Sequence, residues 1–308
     1  MTTTTEDPER LRDRRTQRWR GAFPALLGAL RPRQWPKNLL VAAAPAAAGT
    51  LTEAQAAAAC ASVFVLFCVA AGGTYLLNDV RDIERDRAHP RKRHRPIASG
   101  RVPVPVAVTV GSLLVVAAPA ASLLLGDPLL TGILTGYVVL TLAYTHRLKD
   151  IAVLDLVAVA SCHVLRAAAG GVAAGVPLSS WFVAVVSLAA LLVVTGKREV
   201  ELRALADRPA PGPVRAVLNV YTPACLARTR TAVSAAMILT YVLWAFEQGG
   251  GNAFHAASTL PFTMFVLRYN LLVDRGTGEE PEEIALRDRP LQLAGASLLT
   301  LVCLGIHL

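Results

Sequence analysis

An all-α, polytopic membrane protein built as a nine-transmembrane-helix bundle is the fold class that this sequence predicts. Three observations predict it. Of 308 residues, 54% are AVILMFWYC, and they fall in nearly uncharged runs of about 20 residues, enough at about 1.5 Å per residue to cross a roughly 30 Å hydrocarbon core. The runs are continuous rather than alternating, which excludes a β-barrel, and they lack the polar face of a soluble helix. Lys and Arg crowd into every second connecting loop.

Residues 1–21 are Thr-rich, then Arg-rich (Arg10, Arg12, Arg14, Arg15, Arg18, Arg20), and are expected to form a disordered basic tail. Residues 22–308 are expected to form one membrane-embedded domain. The apolar run Ala22–Leu30 precedes "RPRQWPKN" rather than a small-residue cleavage site, so it is expected to stay and to lie at the membrane surface.

Nine apolar segments follow, at 35–52, 55–77, 103–125, 128–146, 151–173, 179–196, 226–247, 253–272 and 290–307. The first is short and contains Pro45. The loops after the first, third, fifth and seventh segments hold no Lys or Arg, whereas 78–102, 147–150, 197–225 and 273–289 are all basic. Positive charge collects in the cytoplasm. The expected protein is therefore multi-pass in the cell (plasma) membrane, with the N-terminus and long polar loops cytoplasmic and the C-terminus outside. The net charge of +9 is read as this bias together with phosphate binding, not as a nucleic-acid surface. Cys60, Cys68, Cys162, Cys225 and Cys303 have no disulfide or zinc spacing and are expected to be packing residues.

The densest charge lies in "NDVRDIERDRAHPRKRHRPIASG", between two apolar runs. If the second helix continues into it, Asn78, Asp82 and Asp86 recur at i, i+4 and i+8 and share a face. Three oxygen donors at a membrane mouth suit Mg²⁺, which takes oxygen ligands and is usually completed by substrate phosphates. Asp79 is placed to join them. Arg91, Lys92, Arg93 and Arg95 follow, cations able to hold a diphosphate. A solvated loop would account for the cations but not for the ordered Asn/Asp/Asp face.

This stretch resembles the first aspartate-rich motif, with its downstream RPI/L-x-x-G, of the UbiA-type intramembrane prenyltransferases. The resemblance extends over nearly the whole chain, through "RPRQWPKN", "YTHRLKD" and later elements. It implies nine transmembrane helices and an Mg²⁺-dependent active site on the cytoplasmic side. Most of the family carries a second aspartate-rich motif after the sixth span. Here that loop begins "GKREVEL", with Lys197, Arg198 and Glu201 but no paired aspartates. Together with "LRAAAGGVAAGVPLSSWF" and "PEEIALRDRPLQL", this is similar to one branch, the decaprenyl-phosphate phosphoribosyltransferases of cell-wall arabinan precursor synthesis. That branch has an aromatic residue where Glu199 stands. The branch implies transfer of 5-phosphoribosyl from phosphoribosyl pyrophosphate to a polyprenyl phosphate, with release of pyrophosphate.

On this reading Asp82, Asp86 and Glu201 are catalytic, and Asn78, Asp82 and Asp86 hold Mg²⁺. Glu201 stands in for the missing motif, toward metal or the ribose hydroxyls, while Lys197 and Arg198 grip phosphate. Lys92, Arg93 and Arg95 bind the diphosphate, and Asp79 assists. Lys37 and Asn38 at the first mouth, and Tyr144 and Lys149 beside the fifth span, are expected to bind substrate. Arg166 lies inside an apolar run, where a charge is expensive and normally functional, so it too is expected at the substrate. Asp155, an intramembrane carboxylate, needs a partner, with Lys149 and Arg166 as candidates.

Two rivals stand beside this reading. A prenyltransferase would use a prenyl diphosphate and a quinone-precursor or other acceptor. A membrane transporter would spread polar residues through several spans rather than crowding them on one side. Small-residue runs such as "AAAGG" pack helices within a chain or between copies, so a homo-oligomer is compatible with the sequence.

Overall fold

A computed structural model describes residues 23–206, 216–247, 252–277, 284 and 287–307; the expected N-terminal tail lies outside them. The described residues are helical, with no strands. In chain order the α-helices are α1 (residues 23–29), α2 (Ala43–Ala47), α3 (Ala54–Arg81), α4 (Ile83–Ala88), α5 (Val104–Ser122), α6 (Pro128–His146), α7 (Leu154–Ala173), α8 (Ser180–Ala206), α9 (Pro223–Glu247), α10 (Ala253–Asp274) and α11 (Arg289–His307). Among the described residues, eight helices are long and apolar enough to cross a membrane: α3 and α5 to α11. Each coincides with a span read from the sequence.

The first expected span differs. It is a 3₁₀ segment over Pro32–Ala42, then the short α2, then a 3₁₀ turn over Thr50–Thr52. Pro36 and Pro45 lie within it. Each lacks the N–H that an α-helix interior needs, so a regular helix is broken there. Among the described residues the segment is therefore not one of the helices long and apolar enough to cross a membrane.

Two large apolar cores and a smaller third cluster build the bundle. Phe67, Leu130, Leu134 and Tyr137 centre the first, among α3, α5, α6 and α7. Val266, Val273 and Leu192 centre the second, among α8 to α11, with Tyr241 stacked on Phe262 at 3.8 Å. The halves meet where α7 packs on α8. α1 docks on the first half through Ala25 and Ala29, against Leu76, Ile97 and Ala107, and leaves Phe23 and Leu27 exposed. Gly170 permits the closest approach. A Cβ there would lie 1.6 Å from the Val41 carbonyl oxygen, so only glycine lets α7 press against the broken first segment. Arg166 is one turn earlier on the same face of α7.

Candidate active site

α3, α6 and α7, together with the segment that carries Arg31 and Lys37, surround a cavity of about 220 Å³. Its walls carry Lys37, Asn78, Tyr144 and Arg166, all expected from the sequence, and also Arg31, Tyr75, Tyr137 and His163.

The expected Asn78/Asp82/Asp86 ladder is nearly one helix. α3 stops at Arg81, Asp82 adopts φ −93°, ψ 11°, and α4 resumes at Ile83. Hydrogen bonding continues across the joint, from Asp82 N–H to the Asn78 carbonyl (2.9 Å) and from Asp86 N–H to the Asp82 carbonyl (2.8 Å). The side chains nonetheless divide. Asn78 lines the cavity. Asp82 accepts from Lys149 Nζ at 2.6 Å, which pins the α6–α7 loop to the α3–α4 joint. Asp86 accepts from Arg95 at 2.7 Å, and the same Arg95 nitrogen reaches Asp79 at 3.3 Å. Asp79 also pairs with Arg31, whose guanidinium lies 4.9 Å over the Tyr75 ring. Asp79 and Asp86, seven residues apart, return to one helix face, and Arg95 ties them together.

The basic loop is ordered locally. The His89 Nδ1 accepts from the backbone N–H groups of Arg91 and Lys92 at 3.2 and 3.3 Å, and Lys92–His94 form a 3₁₀ turn. Arg93 is exposed and Lys92 half-buried. Near the first mouth, Lys37 donates to Gln34. Asn38, 1% exposed, accepts from Arg166 Nε at 2.7 Å and donates to Cys68 at 3.2 Å.

Arg198 has a different setting from the phosphate grip expected of it. Its nitrogens donate to Asp155 (2.8 Å), Glu201 (2.8 Å) and the Tyr144 hydroxyl (2.9 Å). Asp155 finds its partner here, rather than at Lys149 or Arg166. Its second oxygen accepts from the Tyr221 hydroxyl at 2.7 Å, and that hydroxyl accepts from Val153 N–H at 2.6 Å. Val153 has φ +68°, rare for a β-branched residue. Burial, then the hydrogen bond to Asp155, pushes the Tyr221 phenol up to about 12, so it donates throughout the physiological range. Tyr221→Phe removes this bond to a fully buried carboxylate, at a cost of about 1.5–3 kcal/mol. A lower thermal unfolding temperature in detergent, with Mg²⁺ response unchanged, is the expected result; an unaltered temperature counts against a stabilising role for the Tyr221–Asp155 bond.

Behind this lies a second network. Glu199, 0% exposed, accepts from Arg230 Nε at 2.7 Å and pairs with Arg203. Arg230 also reaches Asn270 and Asp274, so α8, α9 and α10 are joined by charge. Lys197 and Glu201 ride on the turns of α8 that these two networks hold. Arg230 lies inside an apolar run, the same signal that marks Arg166. Tyr221 and Tyr137 carry no comparable signal in the sequence.

The donor set at the α3–α4 joint suits a hard divalent ion in type, being amide and carboxylate oxygen. Among the described residues no three His, Cys, Asp or Glu side chains gather to hold an ion alone. One or two carboxylates completed by phosphate oxygens is the usual Mg²⁺ pattern, and the residues present fit it.

Residues 39–288 match the UbiA prenyltransferase family. A protein named decaprenyl-phosphate phosphoribosyltransferase from Mycolicibacterium smegmatis is 45% identical over 282 residues, covering 87% of this chain and 88% of its own. One of the same name from Corynebacterium glutamicum is 37% identical, covering 92% and 87%. Among solved structures, a UbiA homologue from Archaeoglobus fulgidus bound to GPP and Mg²⁺ superposes with a TM-score of 0.70 at 15% identity, covering 92% of this chain and 100% of that one. That likeness concerns the fold.

Proposed function

The chain belongs to the UbiA prenyltransferase family, and from that premise we propose that it transfers 5-phosphoribosyl from phosphoribosyl pyrophosphate to a polyprenyl phosphate of the decaprenyl type. The reading rests on one observation, the asymmetry of the site in a chain so similar to relatives named for this reaction. A carboxylate-rich arm on α3 and α4 is accompanied in the chain by an α8 arm with Lys197, Arg198 and Glu201 where paired aspartates are the family pattern. An acid-poor second arm suits a donor bearing ribose hydroxyls and a further phosphate.

A phosphate oxygen of the lipid attacks the ribosyl C1 as the C1–O bond to pyrophosphate breaks, and that electron pair leaves with pyrophosphate. The nucleophile is already anionic, so no strong base is needed. Mg²⁺ held by Asn78, Asp82 and Asp86 would supply neutralisation of the leaving charge. Lys92 and Arg93 bind the pyrophosphate, and Arg95 orders Asp79 and Asp86 while presenting charge to it. Lys149 positions Asp82. Glu201 faces metal or ribose, with Lys197 on a phosphate and Tyr144 at the mouth. Arg198 acts as a positioning residue, since it holds Glu201 and Tyr144. The protein is a multi-pass membrane protein, and we place its N-terminus and active site in the cytoplasm, because the basic loops lie on that face.

Membranes fed radiolabelled phosphoribosyl pyrophosphate are expected to label a lipid, whereas labelled prenyl diphosphate is expected to label none; the reverse pattern establishes the prenyltransferase reading instead. In the same assay Lys92→Ala or Arg93→Ala is expected to raise KM for the donor about 10- to 150-fold, the loss of a charge-assisted contact of about 1.5–3 kcal/mol. A change confined to KM for the lipid would move this loop to the other substrate.

A further inference from the structure

Four cations are buried among the described residues: Lys149, Arg166, Arg198 and Arg230. Three are met by carboxylates, Lys149 by Asp82, Arg198 by Asp155 and Glu201, and Arg230 by Glu199 and Asp274. Arg166 is not. Its contacts are the Asn38 amide oxygen at 2.7 Å, the Cys162 carbonyl at 2.8 Å and the Tyr137 hydroxyl at 2.8 Å. The faces of Tyr137 and Phe67 lie 4.7 and 5.8 Å from the guanidinium. Every partner is neutral. Three of the five N–H groups are thereby used, and two remain.

A buried charge without a counter-charge is costly, and at membrane depth such a group normally faces a ligand path. Arg166 lines the cavity of about 220 Å³, far above the roughly 15 Å³ that admits one water. Neutral acceptors and ring faces hold the guanidinium in place while leaving its charge available, and a planar fork suits phosphate oxygens. Tyr137 is seven residues, about 10 Å along α6, from Tyr144 at the Arg198 network, so Arg166 lies deeper than the Asn78–Asp86 mouth.

We infer that the inner end of this cavity, at Arg166, is a phosphomonoester subsite, while its mouth, where Asn78 and Tyr144 stand, takes the pyrophosphate. The occupant of the subsite is either the lipid phosphate or the 5-phosphate of the donor, and both carry the same chemistry. The inference rests on the functional reading above, so the test uses binding without turnover. Ribose 5-phosphate, a short-chain polyprenyl phosphate and inorganic pyrophosphate are titrated separately into detergent-solubilised wild type and Arg166→Gln, with ribose and polyprenol as neutral controls. Tenfold or greater weakening of one monoester in Arg166→Gln, with pyrophosphate unchanged, is expected, and the weakened monoester names the occupant. If both monoesters bind the two proteins equally, or pyrophosphate weakens as much as they do, the inference is overturned while the functional reading stands. If neither monoester binds wild type, both fall. Should Arg166→Gln not fold, Arg166→Lys keeps a cation but loses the fork. It is expected to weaken the same monoester at least threefold, and unchanged affinities there overturn the site equally.

Discussion

Asp82→Asn is expected to reduce transfer below a tenth of the wild-type rate while the protein still inserts and extracts from membranes. Asp82 stands at the joint between α3 and α4 and has one carboxylate oxygen on Lys149 at 2.6 Å. The substitution keeps a side chain of the same size but removes the negative charge from both of its duties. The oxygen set for a divalent ion loses a carboxylate, and the ammonium of Lys149, 4% exposed, loses its counter-charge. A second signature follows from the first duty, since the Mg²⁺ concentration for half-maximal rate should rise. Initial rates across a Mg²⁺ titration measure both. Activity above a tenth of wild type at ordinary Mg²⁺ would remove Asp82 from the ion site.

Arg198→Leu is expected to cost about 3–5 kcal/mol of stability, the usual penalty for removing one member of a buried ion pair. Asp155 is 0% exposed and would keep only the Tyr221 hydroxyl at 2.7 Å. Glu201 and Tyr144 would lose the contact that joins them across 57 residues of chain. Arg198→Leu should therefore unfold in detergent at a markedly lower temperature than wild type. The outcome also separates two roles for this arginine. A variant as stable as wild type, with KM for the donor raised, would return Arg198 to the phosphate-gripping role suggested by "GKREVEL".

The spans were legible because hydropathy is a local sum. Eight of the nine segments coincide with α3 and α5 to α11, since each run carries its own reason to leave water. The first segment shows the limit of that sum. Its apolar character was plain, but Pro36 and Pro45 turned it into 3₁₀ and short α pieces. The site was legible in part for the same reason. A charge inside an apolar run marked Arg166 and Asp155, and a regular i, i+4 spacing marked Asn78, Asp82 and Asp86.

The sequence by itself determined which residues are driven from water, where the loops carry charge, and which family pattern the polar residues follow. The tertiary structure decided who pairs with whom. Asp155 joins Arg198 and Tyr221 rather than Lys149 or Arg166, and Arg166 meets Asn38 across 128 residues of chain. Such pairing depends on distances of a few ångströms between helices, and those are set by contacts such as Gly170 against the Val41 backbone. In a low-dielectric interior the energy of a charge is governed by its nearest partner, and sequence spacing does not contain that distance.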